Sequence, residues 1–197
     1  MSERPGGASS RMYASQIGQS ERVSDPADDS DFERWLQEIS QNPGAPDDDP
    51  GEVSPGWRRW LRGLFEREGP VSQEVVQRQA MTHHLSLANQ AVTAVQADLH
   101  RTTAMRPSVE VDIWMGNSIR ISIDGGCSAP SIWEVDRPEA FAEVADYFQE
   151  QLDQECWPVC QQHDVGLHGE VHDGTAVWWC RLGRHSIARI GELGSAT

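Results

Sequence analysis

From Val71 to Thr103 the chain contains neither glycine nor proline. This stretch restricts the fold more than any other, because a helix over that range is roughly 50 Å long at 1.5 Å per residue. A rod of that length exceeds what a small domain needs and must still cover its apolar seam. Met81, Leu85, Ala88, Val92, Val95 and Leu99 make the seam. They step by alternating fours and threes, the heptad spacing that suits a facing helix. Two partners would serve: a second helix of the same chain, or a second copy, giving a homodimer through residues 71–103. His83 and His84 sit side by side on this helix. Adjacent helical positions do not face one site, so the pair reads as ordinary surface.

The periodicity then changes from helical to alternating. VEVDIW puts Val109, Val111 and Ile113 on one face, and SIRISID does the same with Ile119, Ile121 and Ile123. The intervening turn residues predict a β-hairpin with one buried face. Cys127 is a lone thiol in a following loop, and SIWEVD is a candidate third strand. Asp136 and Pro138 then suit the cap and first turn of a helix over 137–153. Its apolar face is Phe141, Val144, Ala145, Phe148 and Leu152, and its outer face is acidic.

The N-terminal part differs in composition. Hydrophobic residues make up 38% of the chain, below the usual globular share of roughly 45–50%, so part of it should lie outside any core. Residues 1–30 are rich in Ser, Gly, Asp and Arg and cannot bury enough apolar area to offset ordering entropy. A short amphipathic helix near 31–40 follows, with Phe32, Trp35, Leu36 and Ile39 on one side and Ser30 or Asp31 as its cap. Four prolines and an acidic run then read as a linker. Such a helix is either a docking motif for a groove on a protein partner or an ordinary helix folded back on its own chain. In 57–67 a stripe of Trp57, Trp60, Leu61, Leu64 and Phe65 faces away from Arg58, Arg59, Arg62 and Arg67. That pattern suits an anionic membrane surface or a protein partner. The preferred alternative is a core-facing stripe with arginines meeting the acidic remainder of the chain.

The net charge is −15, and all sixteen basic residues are arginine, as a high-GC genome produces. Residues 57–107 are net basic and lie between two strongly acidic stretches, which predicts charge pairing within or between chains. The acidic total makes nucleic acid an unlikely partner, since phosphate binding needs surplus positive charge. No run of about 18 apolar residues exists, so no transmembrane segment is expected. No secretory signal is visible either, so the cytoplasm is the expected location.

The chemistry concentrates at the C-terminus. Cys160 and His163 form C-x2-H; Cys180 and His185 form C-x4-H. Between them, Asp173-Gly174 is a strong tight-turn signal. A hairpin there would bring the second turn beside the first, offering two sulfurs and two nitrogens to one zinc ion. Cys156, His168 and His172 compete as ligands. Two thiolates and two imidazoles fill a tetrahedral sphere, so the ion reads as structural. HGEVH is not the HExxH arrangement of a zinc hydrolase.

With those residues in view, the segment resembles a zinc ribbon whose first CxxC knuckle is varied to Cys160…His163 and whose second is Cys180…His185. WPVC…H…VWWC…H…IGEL also looks like the tails of uncharacterised proteins of high-GC bacteria. The resemblance covers about the last 40 residues. It implies a ribbon fold and zinc, and no assigned activity.

The fold class expected is α+β. It comprises a long helix, a small antiparallel sheet and a second helix, with a C-terminal zinc-ribbon-like hairpin and a disordered N-terminal arm. The expected divisions are 1–56, 57–155 and 156–197. No P-loop, GxGxxG or GxSxG motif is present. The chain therefore reads as a non-enzymatic binding or regulatory protein with a structural zinc. A nucleic-acid regulator using Arg181, Arg184 and Arg189 is the alternative, and a zinc hydrolase the weakest reading.

Overall fold

The computed structural model describes residues 26–40, 53–114, 118–126, 135–152 and 156–194. Cys127, most of the candidate third strand, residues 1–25 and most of the linker lie outside the described residues. Among the described residues the class is α+β, with four helices and small antiparallel sheets. None of these helices is long and apolar enough to cross a membrane.

The first helix, α1 (Pro26–Ser40), begins earlier than the expected 31–40. Ser30 and Asp31 lie inside it rather than capping it. The sequence explains the shift: a proline fits the first turn, and Asp29 suits the positive end of the helix dipole. The second helix, α2 (Pro55–Glu68), is capped by the Ser54 hydroxyl, which accepts from the Trp57 N–H at 3.3 Å. It ends at Gly69, whose φ of 73° favours glycine. These two helices pack on each other. Phe32, Trp35 and Leu36 are buried against Leu61, Leu64 and Phe65, with Val76 closing the cluster. The apolar face of α1 is therefore covered from within the chain. The α2 arginines meet acids from both flanking stretches: Arg62 meets Asp29 at 2.6 Å, Arg58 meets Glu33, and Arg59 meets Asp136.

The long helix α3 (Gln73–Thr102) carries the seam as expected. Ala88, Val92, Val95 and Leu99 are buried, with Met81 and Leu85 half-covered beside them. What covers them belongs to the same chain: the hairpin β1 (Val109–Trp114) and β2 (Ser118–Ile123), and the helix α4 (Arg137–Gln151). The seam that could have built a homodimer is thus occupied internally. The hairpin register pairs Val111 with Ile121. Ile119, Ile121 and Ile123 form the buried row, whereas Ile113 is 48% exposed. Asp136 precedes α4 as expected but makes no side-chain cap; its carboxylate takes Arg59 instead.

His83 and His84 do not lie on open surface. They are where α2 meets α3: Trp60 tilts over His83 with centroids 5.9 Å apart, and Trp57 stands edge-on to His84 at 5.5 Å. His84 is 5% exposed. Burial, helped by the neighbouring His83, pushes its pKa down to about 4. Unfolded histidine titrates near 6.5, so the unfolded chain binds more protons between these values. The contribution of neutral His84 is complete above pH 6.5 and is lost as pH falls towards 4. The expected loss is on the order of 2 kcal/mol. Urea unfolding at stepped pH should show it, and His84→Leu should flatten that part of the acid limb relative to the parent chain.

The remaining strands are β3 (Val159–Cys160), β4 (Val165–Gly166), β5 (His168–His172), β6 (Thr175–Cys180) and β7 (His185–Arg189). Strands β3 and β4 form a small hairpin, and β5, β6 and β7 an antiparallel three-stranded sheet. This part shares the main core with the helices. Trp178 and Leu167 are fully buried in the same cluster as Leu99 and Phe148. Gly169 lets β5 touch α4: a Cβ there would lie 2.8 Å from that of Ala145, closer than two carbons can approach.

Candidate metal centre

Two turns of similar shape build the site. Strand β3 delivers Cys160, a four-residue turn follows, and its last residue, Asp164, has φ 52°. Strand β6 delivers Cys180, a second four-residue turn follows, and its last residue, Arg184, has φ 51°. Asp and Asn tolerate this region better than most side chains, while an arginine there is uncommon. The turns differ in where the imidazole sits. The first carries His163 three residues after its cysteine. The second has Gly183 at that place and carries His185 five residues after its cysteine. A Cβ at position 183 would lie 2.2 Å from Cε1 of His163. The glycine is thus the space into which the facing imidazole fits, as well as a turn former. Between the two turns, Asp173 and Gly174 have φ of 50° and 69°, the two positive values of a type I′ hairpin turn. Strand β6 therefore folds back along β5 and carries Cys180 to the first turn.

The four side chains converge. Nδ1 of His163 lies 3.4 Å from the sulfur of Cys160 and 3.4 Å from that of Cys180. Nε2 of His185 lies 3.7 Å from the sulfur of Cys160. All four donor atoms fall within 4.8 Å of one another and could hold a metal ion. A tetrahedral ion bonded at about 2.3 Å to sulfur and 2.0–2.1 Å to nitrogen would set S and N donors roughly 3.5 Å apart. The three separations match that spacing. Both cysteines are fully buried. Burial pushes the Cys160 thiol up, but hydrogen bonds from His163, from the Gln162 and His163 backbone and from His185 outweigh it and bring its pKa down to about 6. The Gly183 N–H donates to the Cys180 sulfur at 3.3 Å. Such backbone donors stabilise thiolate, the form that binds metal.

The competing ligands are elsewhere. The Cys156 side chain is exposed and borders Gly166. His172 stacks on Trp179 with centroids 3.7 Å apart, and its Nε2 meets Glu170 at 3.1 Å. Glu170 also takes Arg181 at 2.6 Å. Burial works against that carboxylate, yet the Arg181 and His172 hydrogen bonds hold its pKa below the usual range. His168 is on β5 and outside the cluster. Hence Glu170 and His172 of HGEVH are engaged with Arg181 and Trp179 rather than with the cluster.

Sequence reasoning missed one residue that holds the site's surroundings in place. Asp98 on α3 is fully buried. It accepts from Nε1 of Trp178 at 2.7 Å and from the N–H groups of Gly191 and Leu193 at 2.6 and 2.8 Å. Arg101 meets it at 2.6 Å. The chain leaving β7 is thereby tied to the long helix. A signal existed: an acid within one helical turn of Val95 and Leu99 interrupts the buried seam. Gln149 on α4 does similar work, donating to the carbonyls of Trp157 and Leu167.

A four-donor Cys/His centre on an α+β scaffold is the class these features define. Comparison with protein-family models, curated proteins and solved structures gives no match for this chain.

Proposed function

We propose that the chain is a non-enzymatic binding or adaptor protein whose C-terminal ribbon is held by one structural zinc ion. The observation that carries this reading is the convergence of two sulfurs and two imidazole nitrogens at near-tetrahedral spacing. Zinc suits that mixed donor set, and four protein donors leave no open position for a reacting water. The zinc would supply charge to hold two thiolates in place. Cys160, Cys180, His163 and His185 would bind it.

The adaptor part of the reading concerns a protein partner engaged by the α1–α2 hairpin. Because the apolar faces of these two helices cover each other, a partner would meet their outer sides, where Ile39, Trp57 and Trp60 are only partly buried. The net charge of −15 favours a protein over nucleic acid.

Metal analysis of the purified full chain tests the zinc assignment. One zinc per chain is expected, with loss on Cys160→Ser or Cys180→Ser and retention on Cys156→Ser. A chain that carries no zinc after purification in zinc-replete medium would end the reading. Gly183→Val gives a sharper check. Its added side chain must displace the His163 ring, so zinc affinity should drop by more than the roughly 10–100-fold typical of a lost outer-shell partner. Competition with a chromogenic chelator measures it.

A further inference from the structure

The β1–β2 hairpin is a two-stranded sheet, so each strand has one edge turned away from the other. Along an antiparallel pair the residues alternate. One exchanges hydrogen bonds with its opposite number, and the next points both backbone groups outward. Two contacts fix which residues do which. The Asp124 N–H donates to the Ser108 carbonyl across the hairpin at 2.8 Å. The Tyr147 hydroxyl donates to the Ile121 carbonyl from outside it, also at 2.8 Å. Val109 lies opposite Ile123, Val111 opposite Ile121 and Ile113 opposite Ile119. The outward groups therefore belong to Val109, Val111 and Ile113 on β1, and to the three isoleucines on β2.

The two edges differ. On β2 the Ile121 carbonyl takes Tyr147, and the Ile123 carbonyl takes the Gly126 N–H at 2.9 Å. On β1, nothing among the described residues bonds the outward N–H and C=O groups of Val109, Val111 and Ile113. The side chains repeat the asymmetry. Ile119, Ile121 and Ile123 are buried, whereas Val109 and Val111 are half-buried and Ile113 is 48% exposed. Cover for the core thus runs out at β1, where one more strand would complete the row. The solvent face of β1 carries Glu110, which is exposed, and Asp112, which Arg120 of β2 meets at 2.6 Å.

These charges name the occupant. A second copy paired antiparallel along the whole of β1 would set Glu110 opposite Asp112 of the other chain, twice, and like charges directly opposite destabilise a pair. A strand with Arg or Lys at those places is attracted instead, by the two carboxylates and by the net charge of −15. We infer that the β1 edge docks an extended basic protein segment, in which apolar residues alternate with Arg or Lys, as a third strand of the hairpin. Backbone hydrogen bonds to Val109, Val111 and Ile113 hold it, Ile113 gains apolar cover, and Glu110 meets the basic side chains. The site uses neither the metal ligands nor the α1–α2 helices.

A short synthetic peptide alternating valine and arginine, titrated into the full chain, tests this edge. It should bind, and its affinity should drop at least about fivefold on Glu110→Arg and again on Ile113→Lys. Both side chains are exposed, so both variants should melt like the parent chain. Hydrogen exchange supplies the backbone readout: the amides of Val109, Val111 and Ile113 should exchange fast in the free chain and slowly in the complex. No binding, equal binding to both variants, or a preference for a valine–glutamate peptide would overturn the inference. So would slow exchange of these three amides in the free monomer, which would mean that the chain covers its own edge. A free chain that is dimeric and becomes monomeric on Ile113→Lys would overturn it in favour of a second copy.

Discussion

On the proposed zinc reading, removing the metal should cost the chain several kcal/mol of stability and release the C-terminal strands first. Free zinc at about 1,000 times its dissociation constant would contribute roughly 4 kcal/mol to the folded state. For a chain of this size each kcal/mol moves the melting temperature by about 2–4 °C. Chelation should therefore lower it by on the order of 10 °C. The expected order of loss follows from what each strand rests on. Strands β3 and β4 pair over only two residues each, and the turn before β7 is held by Cys180 and His185. Strands β5 and β6 keep Leu167 and Trp178 in the helical core and should open later. Hydrogen exchange before and after chelation reads this directly. Amides of β3, β4 and β7 should lose protection while α3 and α4 keep theirs. A chelated chain with unchanged melting and unchanged exchange would refute a structural role for the ion.

The second large effect belongs to Asp98. Asp98→Ala leaves the Trp178 indole N–H, two backbone N–H groups and the Arg101 guanidinium without their shared acceptor. Breaking a buried charged network by deleting one member costs about 3–5 kcal/mol. A fall of roughly 10 °C in melting temperature is expected, with a shift in Trp178 fluorescence. Arg101→Met should cost far less, because that side chain is 36% exposed and solvent screens its charge. If Asp98→Ala melted like the parent chain, the carboxylate would not be what ties the end of β7 to α3. Zinc content separates the two effects: Asp98→Ala should keep its ion, since no atom of Asp98 is among the four donors.

Much of this architecture is legible in residue spacing alone. A heptad seam, an alternating pair of strands, Pro138 in a first turn and Asp173-Gly174 between apolar runs are local signals. Each depends on neighbours a few residues away. The two ligand pairs are legible for the same reason: a cysteine and a histidine in one turn must point to one side. Three features were not legible. Whether the α3 seam faced a second chain or its own α4 turns on which surface arrives first in space, and a period says nothing of that. Covering the face of α1 with α2 is a choice of the same kind. Asp98 is the clearest case, since three of its four partners lie 80 to 95 residues away.

What the sequence by itself determined, then, is the type and boundaries of most elements and the four donors of the candidate centre, because propensity and turn chemistry act over short range. Only the tertiary structure decided that Cys156, His168 and His172 stay out of the site, that His83 and His84 form a contact with α2, and that a buried carboxylate ties the ribbon to the long helix. Those outcomes come from burial, which charges every polar group for its lost water and is settled by atoms far apart along the chain.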